Sequence, residues 1–425
     1  MKASKKIVYV FLRNKIVGID SILSTCMEIY GRCGYTFNFI SFDYMTYKYI
    51  VEDNTVIRDA INHIGKIELV SSDRYSSSNI SRLFILFYFI RVIFNVAVRN
   101  YYIMHSSHLH VKPFVLVKWL FKKSNIIFVE KKSFNNEIRI GTKKHNLQFI
   151  YDRRLTYDEI SKYNIDLYSH PPLLYADTLI GYDENWNYFK HPAADKSRKI
   201  IFKDIRRGKY WIDFVNKNAS KYIDSEMPFG DFESNKILVF IATRITRNTD
   251  HNAIDEFTGA LRVLFKYTHV FPLFIKLHTF SDLDFIDELL SIASDEKNST
   301  RYVITHLHPA VLATRSIISV FANSGTLMSE FSKLGIPVVD LQIYENTLLP
   351  SSCLNSSTEL SEKDLTERYK YRSKHSDYTF TCIDNLDKFM KGVINTSFGS
   401  DSIKPILAAS QKTMSCFGTC ELLKE

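Results

Sequence analysis

Residues 317–341, IISVFANSGTLMSEFSKLGIPVVDL, decide how this chain is read. The segment opens on a short apolar run, 317–321, whose length and β-branched content predict a buried strand. A small polar loop follows, Asn323-Ser324-Gly325-Thr326, and opens a helix over 327–334. Gly335-Ile336-Pro337 stops that helix and starts another strand over 337–341. Strand, polar loop, helix and strand together form the repeating unit of a parallel sheet.

The same unit recurs on the N-terminal side. Strands are predicted at 237–242, 270–276 and 301–305, with helices over 252–266 and 282–294 and a short helical turn at 310–314. Five strands within about 105 residues make a complete Rossmann-like domain. The first part of the chain alternates in the same way. Strands are expected at 6–12, 36–41, 67–71, 101–104 and 125–129, and helices at 19–30, 56–64, 81–99 and 114–121. Residues 131–232 are less regular, with Pro171-Pro172 and His191-Pro192 and a basic amphipathic helix somewhere in 197–222. They read as the end of the first domain plus a connecting segment. The expected fold is α/β, two Rossmann-like domains facing each other across a cleft. The boundaries are 1–230, 231–395 and a tail, 396–425, with one more helix after Leu386 that crosses back to the first domain.

The composition suits that fold. Of 425 residues 45% are hydrophobic and 24% charged, which excludes a disordered or collagen-like chain. Lys+Arg 55 against Asp+Glu 46 gives +9 and favours anionic partners. Nucleic acid is not expected, because the basic residues are spread along the chain and no nucleic-acid motif occurs. Six cysteines without a CxxC read as free thiols of a reducing cytosol, so the expected location is cytoplasmic. The longest apolar stretch, 83–98, is interrupted by Arg91 and Asn95 and is too short to span a bilayer. It reads as a mostly buried helix. With Arg82, Arg91, Arg99, Lys118, Lys122 and Lys123 near it, a peripheral contact with an anionic membrane face is the second reading.

Ligands of an open parallel sheet bind beyond the carboxyl ends of its strands. Four loops of the second half qualify. Arg244 and Arg247, three apart after the first strand, suit a diphosphate, since a guanidinium grips phosphate oxygens in pairs. Lys276 and His278 end the next strand and can meet phosphate and ribose. His306-Leu307-His308-Pro309 reads as a rigid turn before a helix, because no carboxylate or cysteine stands at metal-partner spacing. Ser324, Gly325 and Thr326 open a helix N-terminus, where free N–H groups attract anions and Gly325 allows close approach. Glu330, one turn in, is placed to reach a sugar hydroxyl. Each has a plainer alternative: surface arginines, a structural histidine, an ordinary helix cap.

On these residues the second half resembles the nucleotide-sugar-binding half of GT-B glycosyltransferases. Phe274-Ile275-Lys276-Leu277-His278-Thr279 is similar to the Lys-x-His-Pro strand end of bacterial sialyltransferases, capsule Kdo transferases and teichoic-acid polymerases, with Thr279 in place of proline. Residues 320–339 resemble their Ser/Thr loop, Glu-bearing helix and Gly-x-Pro element, with Gly325 in place of a second serine. The resemblance implies that His278, Ser324 and Thr326 contact the donor nucleotide and its phosphates, together with Lys276 and Glu330. It implies transfer from a nucleotide sugar to a glycan or lipid-linked glycan acceptor, with no cofactor and no metal. A general base would come from the first domain, where Glu130, His108 and Asp183 are the candidates in that order. A polyol-phosphate transferase, a nucleotide-sugar 2-epimerase and a non-catalytic interaction subunit of the same fold are the alternatives.

Overall fold

A computed structural model describes residues 6–12, 17–42, 44–70, 79–106, 117–118, 125–129, 138–140, 153–155, 175–181, 184, 186–190, 192–203, 206–227, 235–242, 245–278, 281–294, 301–322, 327–342, 372 and 374–397. The chain forms two compact units that meet in sequence between Phe214 and Val215.

The first unit is built on a parallel sheet. Its strands are β1 (Ile7–Leu12), β2 (Thr36–Ser41), β3 (Gly65–Leu69), β4 (Tyr102–His105), β5 (Ile126–Val129), β8 (Thr178–Gly181) and β9 (Arg198–Ile201), and β6 (Ile138–Ile140) and β7 (Arg153–Leu155) form a separate antiparallel pair. The order across the sheet is β3-β2-β1-β4-β5-β8-β9. β8 and β9 lie inside the region that composition marks as irregular. Each is four residues long and set among turn residues, so neither has enough alternation to stand out locally. Helices α1 (Val17–Cys33), α2 (Thr55–Ile64) and α3 (Asn79–Arg99) connect the early strands. Gly34, at φ +67, ends α1 by donating its N–H to the Tyr30 carbonyl at 2.8 Å, a left-handed cap that suits glycine. Asn54 caps α2, its side chain accepting from the Ile57 N–H at 3.0 Å. The core packs Phe11, Ile40, Val92, Val96 and Phe128 against Trp186 and Tyr188.

Helix α4 (Lys209–Glu226) runs through the division point. Trp211 and Phe214 stack in the first unit at 6.1 Å between ring centroids, and Gly208 donates to the Ser24 hydroxyl at 2.9 Å. Further along, Asp224 takes a forked pair of bonds from Arg315, and Glu226 accepts from Thr305, both in the second unit. The division therefore falls within α4, ahead of residue 230.

The second unit holds β10 (Ile237–Ala242), β11 (Leu273–Lys276), β12 (Tyr302–Thr305), β13 (Ser316–Ala322), β14 (Val338–Leu341) and β15 (Tyr378–Phe380), ordered β12-β11-β10-β13-β14-β15 and all parallel. Helices α5 (His251–Phe265), α6 (Leu283–Ala293), α7 (Pro309–Arg315) and α8 (Met328–Lys333) alternate with them. Asp250 and Asp282 cap α5 and α6, accepting from Asn252 and Phe285 N–H groups. α8 stops where Gly335, at φ +75, adopts the left-handed conformation. Helix α9 (Ile383–Ser397) buries Leu386 and Met390 in the core of this same unit, and Asp387 accepts from the Tyr267 hydroxyl at 2.9 Å. That corrects the expectation that the last helix crosses back to the first domain: its apolar face already has a home beside α5.

One buried strand carries a charge. Asp340 on β14 is completely buried and faces Arg372, which is 2% exposed. The guanidinium Nε lies 2.9 and 3.1 Å from the two carboxylate oxygens, and Nη2 donates both to Asp340 and to the Leu341 carbonyl. Gln342 Nε2 donates to the same carboxylate at 2.7 Å.

Candidate functional site

In the second unit the chain turns to one side from β10 to β11 and β12, then crosses back to β13 and β14. The strand order therefore reverses between β10 and β13. Such a reversal opens a crevice at the carboxyl ends of the two strands, where an open α/β sheet takes its ligand. β10 ends at Ala242 and β13 at Ala322, directly before the two loops singled out in the sequence. Arg244, Ser324, Gly325 and Thr326 themselves lie outside the described residues, as do Glu130, His108 and Asp183.

The described candidates fall into distinct settings. His278 is exposed, two residues past the end of β11, and its carbonyl accepts from the Ser281 N–H at 2.9 Å. Ser281 in turn accepts from the Ile245 N–H at 3.2 Å, and the Ile245 carbonyl accepts from the Asp282 N–H at 2.9 Å. These bonds tie the loop after β10 to the loop after β11, so His278 stands on a braced segment. Arg247 is turned to α6. It pairs with Glu288, lies 4.0 Å from Asp282 and stacks 5.4 Å over the Phe285 ring. The Glu288 hydrogen bond and charge hold its guanidinium protonated even more firmly than usual. Glu330 sits in the first turn of α8 and is 9% exposed.

Lys276 belongs to a network that sequence reading did not reach. Its ammonium donates to the Leu307 carbonyl at 2.8 Å. Thr305, at the end of β12, donates its hydroxyl to Glu226 at 2.5 Å and accepts from the Leu307 N–H at 2.9 Å. Glu226 is the last residue of α4, 79 positions from Thr305, and no local pattern marks the pair. His308 caps α7, its Nδ1 accepting from the Ala310 N–H at 3.1 Å with Pro309 in the first turn, which is the rigid turn expected from the sequence.

Burial raises the pKa of Glu226 above the ordinary carboxylate value, against the opposing pull of the Thr305 hydrogen bond and the Lys276 charge. The folded chain therefore holds this proton to higher pH than the unfolded chain does. Stability from this group is complete below the unfolded pKa and is lost as pH rises through the folded one. Glu226→Gln, which keeps the acceptor and removes the charge, is expected to flatten the pH dependence of melting temperature in the mildly acidic range. An unchanged slope would contradict this account.

In the first unit the order likewise reverses, between β1 and β4. β4 ends at His105, 2% exposed, edge-on to Phe128 at 5.3 Å and tilted against Tyr175 at 5.4 Å.

The geometry thus defines a chain of two parallel α/β units, each with one reversal of strand order. No family model matches the sequence, and no curated protein matches it. Solved structures with a similar fold include a UDP-GlcNAc 2-epimerase from Methanocaldococcus jannaschii (11% identical, TM-score 0.45, covering 91% of this chain and 99% of that one). Another is a UDP-GlcNAc 2-epimerase from Neisseria meningitidis bound to UDP-GlcNAc (13%, TM-score 0.44, 92% and 100%). A third is MurG from Acinetobacter baumannii (11%, TM-score 0.39, 96% and 95%).

Proposed function

We propose that the protein is a nucleotide-sugar-dependent glycosyltransferase that extends a bacterial surface polysaccharide on a glycan or lipid-linked glycan acceptor, at the cytoplasmic face of the membrane carrying that acceptor. The observation that supports this most directly is the strand-order reversal between β10 and β13. It brings the carboxyl ends of β10 and β13 to neighbouring positions in the sheet, and the residues that follow them in sequence include Arg244 and Ser324-Gly325-Thr326, read from the sequence as phosphate ligands. His278 stands on the adjoining braced loop. Donor phosphates would meet the cations and hydroxyls there, and Glu130, His108 or Asp183 would take the acceptor proton.

The test is a thermal-shift panel of CMP, CDP, UDP and GDP. One nucleotide at roughly a hundred times its dissociation constant should stabilise the second unit by about 2.7 kcal/mol. No shift with any of them would remove the support for a nucleotide-sugar enzyme. With the matching nucleotide sugar, a transferase releases nucleotide in the presence of acceptor, whereas an epimerase yields a new nucleotide sugar visible by NMR.

A further inference from the structure

Helix α3 departs from its expected burial. Val92 and Val96 are buried in the first core, but Leu86, Phe87, Ile90, Phe94 and Val98 are 52–64% exposed. At 100° per residue these five share an arc of about 120° on the side away from Val92 and Val96. A continuous apolar stripe of this size on a water-exposed helix marks a contact surface.

One flank of the helix is basic: Arg91 lies about 20° beyond the edge of the stripe and Arg99 about 100° beyond it. Arg91 and Arg99 are exposed, and among the described residues neither has a carboxylate partner; Arg91 lies 5.9 Å from the Tyr88 ring. Both line a cavity of about 360 Å³ formed between α3 and the amino-terminal ends of β1–β3. Lys66 lines it too, paired with Glu68, and Glu68 also accepts from the Tyr88 hydroxyl at 2.6 Å. Asn95 lies on the same wall and donates to the Tyr9 hydroxyl at 2.9 Å. Asn38, 6% exposed, also lines the cavity.

From this combination we infer that α3 is a docking surface for an anionic phospholipid bilayer. The stripe enters the acyl boundary. Arg91 and Arg99 bind a headgroup phosphate at the mouth of the cavity. A second copy of this chain fits less well, because it would bring like-charged guanidiniums, without a carboxylate partner among the described residues, to the same flank. Among the described residues no helix is long and apolar enough to cross a membrane, so the contact lies in the plane of the surface. Lys118, expected from the sequence to join this basic face, instead forms an ion pair with Asp177, while the side chains of Arg82, Lys122 and Lys123 lie outside the described residues. The inference deepens the membrane contact proposed above and does not depend on the transfer chemistry.

The experiment is flotation of the full chain with vesicles of phosphatidylcholine alone or with a third phosphatidylglycerol, alongside nucleotide thermal shifts on the same preparations. The wild type should float with the anionic vesicles and largely remain behind with the neutral ones. Arg91→Gln with Arg99→Gln should weaken anionic binding about thirtyfold. Phe87→Ser with Phe94→Ser, both at exposed positions, should weaken it by about a hundredfold. The idea is overturned if the wild type fails to float with either vesicle, or if the phenylalanine variant floats as wild type does. It is equally overturned if sedimentation without lipid shows a dimer that Phe87→Ser dissolves. Nucleotide shifts that persist while flotation fails would sink the docking surface alone; flotation without any nucleotide shift would sink the transferase reading alone.

Discussion

Asp340→Ala is expected to destabilise the second unit by about 3–5 kcal/mol, read as a lower urea midpoint for that unit's transition. The carboxylate is fully buried and two groups donate to it, the Arg372 guanidinium and Gln342 Nε2; the same guanidinium also donates to the Leu341 carbonyl. Removing it leaves a cation that is 2% exposed with no counter-charge among the described residues. The cost is that of stranding a charge and not the worth of the ion pair itself. Asp340→Leu combined with Arg372→Met should therefore recover most of the loss, since a well-packed apolar pair avoids both desolvation penalties. A single-variant loss under about 1 kcal/mol, or a double variant as unstable as the single one, would show that the pair is not the buried lock described.

A larger effect, on turnover, is expected from Glu130→Gln. If Glu130 removes the acceptor proton, its loss should lower kcat by about a hundred- to ten-thousandfold while nucleotide affinity stays at the wild-type value. If His278 and Ser324 hold the donor phosphates as proposed, His278→Ala and Ser324→Ala should do the reverse: each would remove a hydrogen bond to a charged ligand and should weaken nucleotide binding by about ten- to hundredfold without unfolding the chain. Isothermal titration with the stabilising nucleotide and single-turnover kinetics separate the two classes. Wild-type affinity in both His278→Ala and Ser324→Ala would end the donor-site assignment. Wild-type turnover in Glu130→Gln alone would move the base to His108 or Asp183.

Most of the second sheet was legible because its strands are unbroken apolar runs between punctuated loops. Ile237–Ala242 has the same bounds in sequence and structure, and Ser316–Ala322 and Val338–Leu341 differ by a residue or so at an end. β8, β9 and β15 escaped notice for a physical reason. Each is three or four residues long and owes its conformation to pairing with a neighbour already in the sheet, which local pattern cannot report. The same holds for side-chain partners. The contact between Arg247 and Glu288 spans 41 positions, and that between Arg372 and Asp340 spans 32. Helix α3 was read as mostly buried because its sequence is apolar all round, and only the packed structure separates the Val92 side from the Phe94 side.

Helix α4 limits how the protein can be dissected. Its early residues, Trp211 and Phe214, stack together, with Phe214 against His63 of the first unit, and its final turn, Asp224 and Glu226, is bonded to Arg315 and Thr305 of the second. A fragment ending at residue 214 would keep only the first few residues of a helix too short to hold together in water, and a fragment beginning at residue 236 would forfeit Asp224 and Glu226 and leave Arg315 and Thr305 bare. A recombinant second unit therefore has to carry the whole of α4, with polar substitutions at Trp211 and Phe214 to keep the orphaned face soluble.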